Sequence, residues 1–173
     1  MKAIVQNGYG DPERVLSLAE VDRPTVNGYD DVLVRIKATS VNTPDWITVA
    51  GIPKIMRIAM GLRRPKTPIR GTDVAGVVEQ VGPGVTGFAP GDEVFGSTWI
   101  GMKSPGTYAE YTIIKASNIA KKPAELSFED AAASVMSGLT ALSAMDQVAK
   151  AGPGMHILIN GASGGVGTFA VQF

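Results

Sequence analysis

The sequence predicts an α/β chain in two unequal parts, a β-rich part over residues 1–123 and a helix–helix–strand–helix part over residues 124–173. Three observations carry that reading. Short strand-like runs recur between turn residues about every 8–12 positions as far as Pro123, the rhythm of a compact barrel or sandwich. Asp31 to Ser40 alternates, with Val32, Val34, Ile36 and Ala38 facing one way and Arg35, Lys37 and Thr39 the other, the period of a half-buried strand. Past Pro123 the chain becomes alanine-rich, then closes on an apolar run, a glycine-rich turn and an apolar, helix-permissive tail.

The elements follow in order. Lys2 to Gln6 and Leu16 to Val21 read as strands, separated by the turn Asn7-Gly8-Tyr9-Gly10 and ended by Pro24. After the alternating strand, Thr43 is expected to cap a helix with Pro44 at its first position and Asp45 in its first turn, closed by Gly51. Pro53 to Arg64 reads as a second short helical piece, with Ile55, Ile58, Ala59 and Leu62 on one face. The basic cluster Arg63, Arg64, Lys66 and Arg70 reads as a solvated loop. Gly71 to Val81 is a valine-rich strand whose interior Gly76 marks a bulge or a close backbone approach. Turns at Gly82-Pro83-Gly84 and Ala89-Pro90-Gly91-Asp92 precede a short strand at Glu93-Val94-Phe95. Gly101 to Gly106 reads as loop, and Thr107 to Ile114 as a strand with Tyr108 and Tyr111 on opposite faces. Ser127-Phe128-Glu129-Asp130 is a capping-box-like helix start. Gly138 is expected to break that helix, with a second from Leu139 to Lys150. Ile157 to Ile159 is the expected strand before the final turn, with His156 at its edge.

Composition removes several classes of function. The chain has 173 residues, 45% hydrophobic and 18% charged, the balance of an ordinary globular protein. A formal net charge of zero gives no bulk attraction to nucleic acid or to a membrane surface. With no cysteine and one histidine, neither a disulfide nor a Cys- or His-rich metal site is expected. No apolar run approaches the roughly 20 residues of a membrane span, and the N-terminus MKAIVQNGYG lacks a signal-peptide apolar region. A cytoplasmic location is the expectation.

The stretch richest in chemistry is Gly161-Ala162-Ser163-Gly164-Gly165-Val166-Gly167, with Gly161, Gly164 and Gly167 at every third residue. Placed between a strand and a helix, such a turn brings backbone N–H groups close to a phosphate at the positive end of the helix dipole. The last glycine lets the helix pack on the strand. The reading is dinucleotide binding; a glycine-rich turn that binds nothing is the alternative.

These residues, with five other segments in the same order, resemble the medium-chain dehydrogenase/reductase superfamily, and within it the zinc-independent quinone-oxidoreductase branch related to zeta-crystallin. Ser40-Val41-Asn42-Thr43-Pro44-Asp45-Trp46 matches the S-V-N-x-x-D segment, and Gly71 to Val78 matches G-x-D-x-A-G-x-V. Gly91 to Val94 matches G-D-x-V, and Gly106 to Tyr111 matches G-x-x-A-E-Y. Ser137-Gly138-Leu139-Thr140-Ala141 and the glycine turn complete the set.

The resemblance implies a GroES-like barrel domain over residues 1–123 and the start of a Rossmann domain over 124–173, the front half of a longer enzyme and inactive alone. It implies NADP as the cofactor, with NAD as the alternative, and hydride transfer from its reduced form, NADPH or NADH, to a quinone or an activated carbonyl or alkene. The full-length protein is then a homodimer acting on a small molecule. By the same resemblance Asn42, Asp45 and Thr140 are catalytic candidates. Asn42, Thr43, Trp46, Thr140 and the turn Gly161, Ala162, Ser163, Gly164, Gly165, Val166 and Gly167 are cofactor-binding candidates. Asn42 suits an oxyanion or a carboxamide, because its side chain can donate and accept. Trp46 stands where relatives often carry tyrosine and brings no hydroxyl. Zinc relatives place cysteine where this chain has Asn42 and Gly-His-Glu where it has Gly71-Thr72-Asp73. A carboxamide and a hydroxyl are poor zinc ligands, so no metal is expected. A non-catalytic dinucleotide-binding protein and a zinc-type alcohol dehydrogenase are the rival readings.

Overall fold

The computed structural model describes residues 1–98 and 105–173; most of the loop expected at Gly101–Gly106 lies outside them. Among the described residues the chain is α/β, with a sheet-rich first part and helices after it. Strands β1 (Lys2–Gln6) and β2 (Leu16–Glu20) form an antiparallel pair. A single helical turn between them, α1 (Pro12–Val15), is capped by the Asp11 side chain. Strands β3 (Asp31–Ala38), β4 (Asp73–Val81), β5 (Glu93–Ser97), β6 (Tyr111–Lys115) and β7 (Ile119–Lys121) form a five-stranded antiparallel sheet in the order β6-β3-β4-β5-β7. Bridges from Ala3 to Ala109 and from Val5 to Ile69 tie β1 to the loops beside that sheet.

One face of the sheet is buried along its length and the other where α4 covers it, and β4 shows both. Val74 and Val78 point into a valine-rich core with Val32, Val34, Val94, Ile114 and Ile119. Ala75 points the other way, onto Ala131 and Ala132 of helix α4 (Phe128–Ser143). Small side chains on both elements let helix and strand approach closely. Gly76 is the close approach its position suggests: a Cβ there would lie 2.2 Å from the Arg35 carbonyl oxygen, and the β3–β4 register slips between Ile36 and Ala38.

Several sequence expectations need correction. The helix α2 (Thr43–Ala50) is capped by Asn42 rather than Thr43: the Asn42 N–H donates to the Asp45 carboxylate at 2.8 Å, closing the first turn. The Pro53–Arg64 piece is a 3₁₀ turn at Lys54–Met56 followed by one helical turn, α3 (Arg57–Met60). β6 starts at Tyr111 instead of Thr107, because the Thr107 and Tyr108 N–H groups donate to the Arg70 carbonyl, each at 2.8 Å. Gly138 does not break α4, which runs on through Ser143 into a π-helical turn at Ala144–Val148. One glycine in a helix costs only about 1 kcal/mol, and Phe169 lies over it at a distance where even a Cβ would make ordinary contact, 3.7 Å. Ile157–Ile159 forms no strand. None of the described strands runs beside it to take up its backbone groups, and Leu158 is 95% exposed. His156 is therefore an exposed residue on an irregular segment.

Candidate active site

The site is built where the end of β3, the start of β4, the first turn of α2 and the middle of α4 converge. β4 opens on Asp73, which is 0% exposed. Its Oδ2 accepts from the Ser40 hydroxyl (2.8 Å), the Asn42 Nδ2 (2.9 Å) and the Met136 backbone N–H of α4 (3.1 Å). Asn42 Nδ2 also donates to Ser40 Oγ at 2.9 Å. Thr39 Oγ1 donates to the Asp73 carbonyl at 2.7 Å and shares a 2.9 Å hydrogen bond with Thr107 Oγ1. The bonds come from four parts of the chain, so the cluster exists only when sheet, α2 and α4 are assembled.

A second carboxylate sits beside it. Asp45 is 5% exposed, takes the Asn42 N–H and is hydrogen-bonded by the Tyr108 hydroxyl, which also reaches the Ser40 carbonyl at 3.3 Å. Burial pushes the Asp73 carboxyl above its ordinary value, and the hydrogen bonds from Ser40, Met136, Asn42 and Ser97 pull the other way. Burial likewise raises Asp45, opposed by the Asn42 N–H and Tyr108 and reinforced by the charge of Asp73. Tyr108 is raised by burial first and by Asp45 next, so its phenol stays protonated. Burial lowers Arg70, against the pull of Tyr9 and Asp45.

The remaining candidates lie along α4 and beyond it. Thr140 stands one turn past Met136, and its hydroxyl donates to the Met136 carbonyl at 2.6 Å. The glycine turn leads into α5 (Gly165–Ala170), which packs on α4. A Cβ on Gly165 would lie 2.9 Å from Ser137 Oγ. One on Gly167 would lie 2.2 Å from the Gly161 carbonyl oxygen and 2.7 Å from Ala162 Cα. Gly161 has φ +77°, a left-handed value that favours glycine. Gly161, Ala162, Ser163, Gly164, Gly165 and Val166 are exposed, so no side chain fills the turn from outside, while Gly167 is buried.

The structure places the sequence candidates Asn42 and Asp45 next to each other, with Thr43 exposed and Trp46 half exposed beside them. Thr140 and the glycine turn lie apart, on α4 and beyond it. Sequence reasoning passed over Asp73 and Ser40 as site residues, although both lie in the quoted segments. The available signal was an acid within a run of valines, alanine and glycine, a place where a charge persists only with partners. Among the described residues no cluster of three or more His, Cys, Asp or Glu side chains could hold a metal ion. Asn42 and Thr72 offer a carboxamide and a hydroxyl, a donor set that does not fit zinc. No described helix is long and apolar enough to cross a membrane.

Comparison with known proteins agrees with this architecture. Residues 28–124 match the alcohol dehydrogenase GroES-like domain. The chain is 35% identical to the chloroplastic quinone-oxidoreductase QR1 of Triphysaria versicolor, over 99% of this chain and 51% of that protein. It is also 35% identical to a quinone oxidoreductase of Lama guanicoe, over 99% of this chain and 48% of the relative. The quinone oxidoreductase of Coxiella burnetii superposes with a TM-score of 0.85 at 33% identity, covering 99% of this chain and 52% of that one. The Escherichia coli quinone oxidoreductase complexed with NADPH does so with a TM-score of 0.80 at 31% identity, covering 99% and 48%. The chain thus spans about half the length of the relatives it matches.

Proposed function

Because this chain belongs to the alcohol dehydrogenase GroES-like family of the medium-chain dehydrogenase/reductase superfamily, we propose that the whole protein is an NAD(P)H-dependent oxidoreductase. It reduces a quinone or an activated carbonyl or alkene without zinc, and these 173 residues alone are inactive. The observation that carries the proposal is a continuous path through α4. Met136 donates to Asp73, which holds Asn42, and the next residue, Ser137, packs against Gly165 of the glycine turn.

The residues fit a dinucleotide. The cradle between Gly161 and Gly167 has no room for a Cβ at its last position and is open on its outer side. In this reading the backbone of Gly161 to Gly167 holds the diphosphate, and Asn42, Thr43, Asp45, Trp46 and Thr140 border the nicotinamide–ribose end. The cofactor when bound, NADPH by preference, would supply the hydride from its reduced nicotinamide. The chain's own contribution is to orient that ring and to keep water from one side of it. The proposal includes a division into a GroES-like substrate domain over 1–123 and a Rossmann start over 124–173, a homodimeric full-length form and a cytoplasmic setting. Relatives with chloroplastic and mitochondrial names make the last point one for cell fractionation.

The test is a titration of the ¹⁵N-labelled chain with NADPH and NADH. Shifts confined to Gly161–Gly167 and the Asn42–Trp46 turn are expected, with a preference for NADPH. The absence of any shift at millimolar cofactor overturns the proposal. In the longer protein, binding without oxidation of NADPH by a panel of quinones, enals and aldehydes favours a non-catalytic nucleotide-binding role.

A further inference from the structure

The oxyanion-or-carboxamide choice for Asn42 turns on which end of its amide meets a ligand, and a buried neighbour decides that. Ser40 Oγ, Asp73 Oδ2 and Asn42 Nδ2 form a nearly equilateral triangle with sides of 2.8, 2.9 and 2.9 Å. Three donors converge on Asp73 Oδ2, so that oxygen is an acceptor whatever the protonation of the other. Turning the Asn42 amide over would set its Oδ1 against this acceptor at hydrogen-bond distance, two lone pairs facing each other beside a carboxylate that is itself 0% exposed. Met136 fixes the carboxylate from α4, and the peptide N–H of Asn42 is held by Asp45. Neither end of the Asn42 residue is then free to rotate without breaking one of these partly buried bonds.

We propose that Asp73 is a positioning residue that locks the Asn42 carboxamide nitrogen-inward, so that Asn42 meets its ligand as an acceptor, through Oδ1. The ligand group it recognises is an N–H or O–H donor, such as a primary carboxamide or a sugar hydroxyl, and an oxyanion must find its donors elsewhere. The ligand part of this rests on the dinucleotide reading above; the lock itself does not. Asp73 never touches the ligand. It acts through Asn42, and Ser40 completes the hold.

The test reads Asn42 directly by NMR in the 173-residue chain. In the wild type, the two Nδ2 protons of Asn42 are expected to exchange with water at least about tenfold more slowly than those of the exposed Asn160, in keeping with hydrogen bonds to a charged group. Asp73→Ala abolishes that protection, and the near-isosteric Asp73→Asn, which keeps an acceptor, restores part of it while the backbone spectrum stays native. Equal exchange at Asn42 and Asn160 in the wild type overturns the lock, and that arm needs no variant to fold and no cofactor to bind. With NADPH added, the Asn42 ¹³Cγ resonance is expected to move while the Nδ2 protons keep their protection. Loss of protection on binding, with Cγ unmoved, overturns the acceptor role. The 3-acetylpyridine analogue of NADPH lacks the carboxamide N–H but keeps the hydroxyls. A Cγ shift that vanishes with it identifies the carboxamide as the donor, and one that persists identifies a hydroxyl. If NADPH produces no shift anywhere, the dinucleotide reading fails and the exchange arm still decides the lock.

Discussion

Gly76→Ala is the substitution whose consequence can be worked furthest from the coordinates. Its added Cβ would stand 2.2 Å from the Arg35 carbonyl oxygen and 2.8 Å from Val34 Cγ1. An ordinary carbon–oxygen contact is more than 1 Å longer, roughly 3.3 Å or above, so β3 and β4 must part. Both lie inside the sheet, β3 between β6 and β4 and β4 between β3 and β5, and neither can move without disturbing a second ladder. Overpacking of this kind costs about 1–3 kcal/mol. Loss of glycine's freedom in the unfolded chain returns about 0.4–1 kcal/mol. The net expectation is a loss of about 1.3 kcal/mol, which for a chain of this size lowers the melting temperature by about 3–5 °C. Thermal and urea unfolding followed by circular dichroism measure it. Gly87→Ala is the matched control: a Cβ there meets nothing within 4 Å, and its backbone is not left-handed. That variant should melt at or slightly above the parent temperature. A Gly76→Ala protein as stable as the Gly87→Ala protein would refute the packing argument.

Other outcomes follow from the same contacts. Gly167→Ala, whose Cβ would strike the Gly161 carbonyl oxygen at 2.2 Å, should weaken NADPH binding at least about tenfold with little change in the sheet, as measured by titration and by the backbone spectrum. Ser127→Ala removes the side chain that accepts the Asp130 N–H at 3.0 Å and should cost about 1 kcal/mol in urea unfolding. Asp45 and Asp73 have folded-state values raised above 3.8, so their contribution to stability is greatest below 3.8 and is lost as pH rises through the raised values. Asp73→Asn should therefore flatten the fall in melting temperature on the alkaline side of pH 3.8, and an unchanged slope would contradict the assignment. Asp31, lowered by Lys115, works in the opposite sense, its contribution fading as pH falls below 3.8. Lys115→Met should reduce that acid-side loss, leaving the part that comes from the Gly28 N–H.

Much of the fold was legible because periodicity and glycine speak locally. The strand at Lys2–Gln6 and the close approach at Gly76 could be read from single residues and their neighbours. What could not be read depended on partners. Ile157–Ile159 has a strand's composition, but a strand is a relation between segments and none of the described strands accompanies it. Thr107 looks like strand, yet its N–H goes to the Arg70 carbonyl, far away in sequence. Gly138 looks like a helix breaker, but one glycine costs only about 1 kcal/mol, less than a helix gains by burying Ala131, Ala132, Val135 and Ala141. In the candidate site, Asn42 and Asp45 stand out through the resemblance carried by the segment Ser40 to Trp46; as polar residues at a helix start they would read as capping alone. Asp73 is silent in sequence for the opposite reason: its partners Ser40, Asn42 and Met136 lie 31 to 63 residues away, and nothing about a lone aspartate in a strand announces them.

The position of α4 makes these separate observations a single mechanical argument. Ala131, Ala132 and Val135 are buried, and the two alanines press onto β4 at Ala75, so the helix follows that strand. Met136 and Ser137 are consecutive on the helix; the first gives its backbone N–H to Asp73, and the side chain of the second meets Gly165. A shift of β4 therefore reaches Asn42 directly through Asp73, and reaches the glycine turn through α4. The strain introduced by Gly76→Ala, three residues from Asp73 on the same strand, should appear at both ends at once. Reduced exchange protection at Asn42 and shifted amide resonances at Gly165 to Gly167 are expected in that variant even though neither site touches residue 76. Perturbation of Asn42 with the turn unmoved would mean that the helix slides on the sheet and the two halves of the site are mechanically independent.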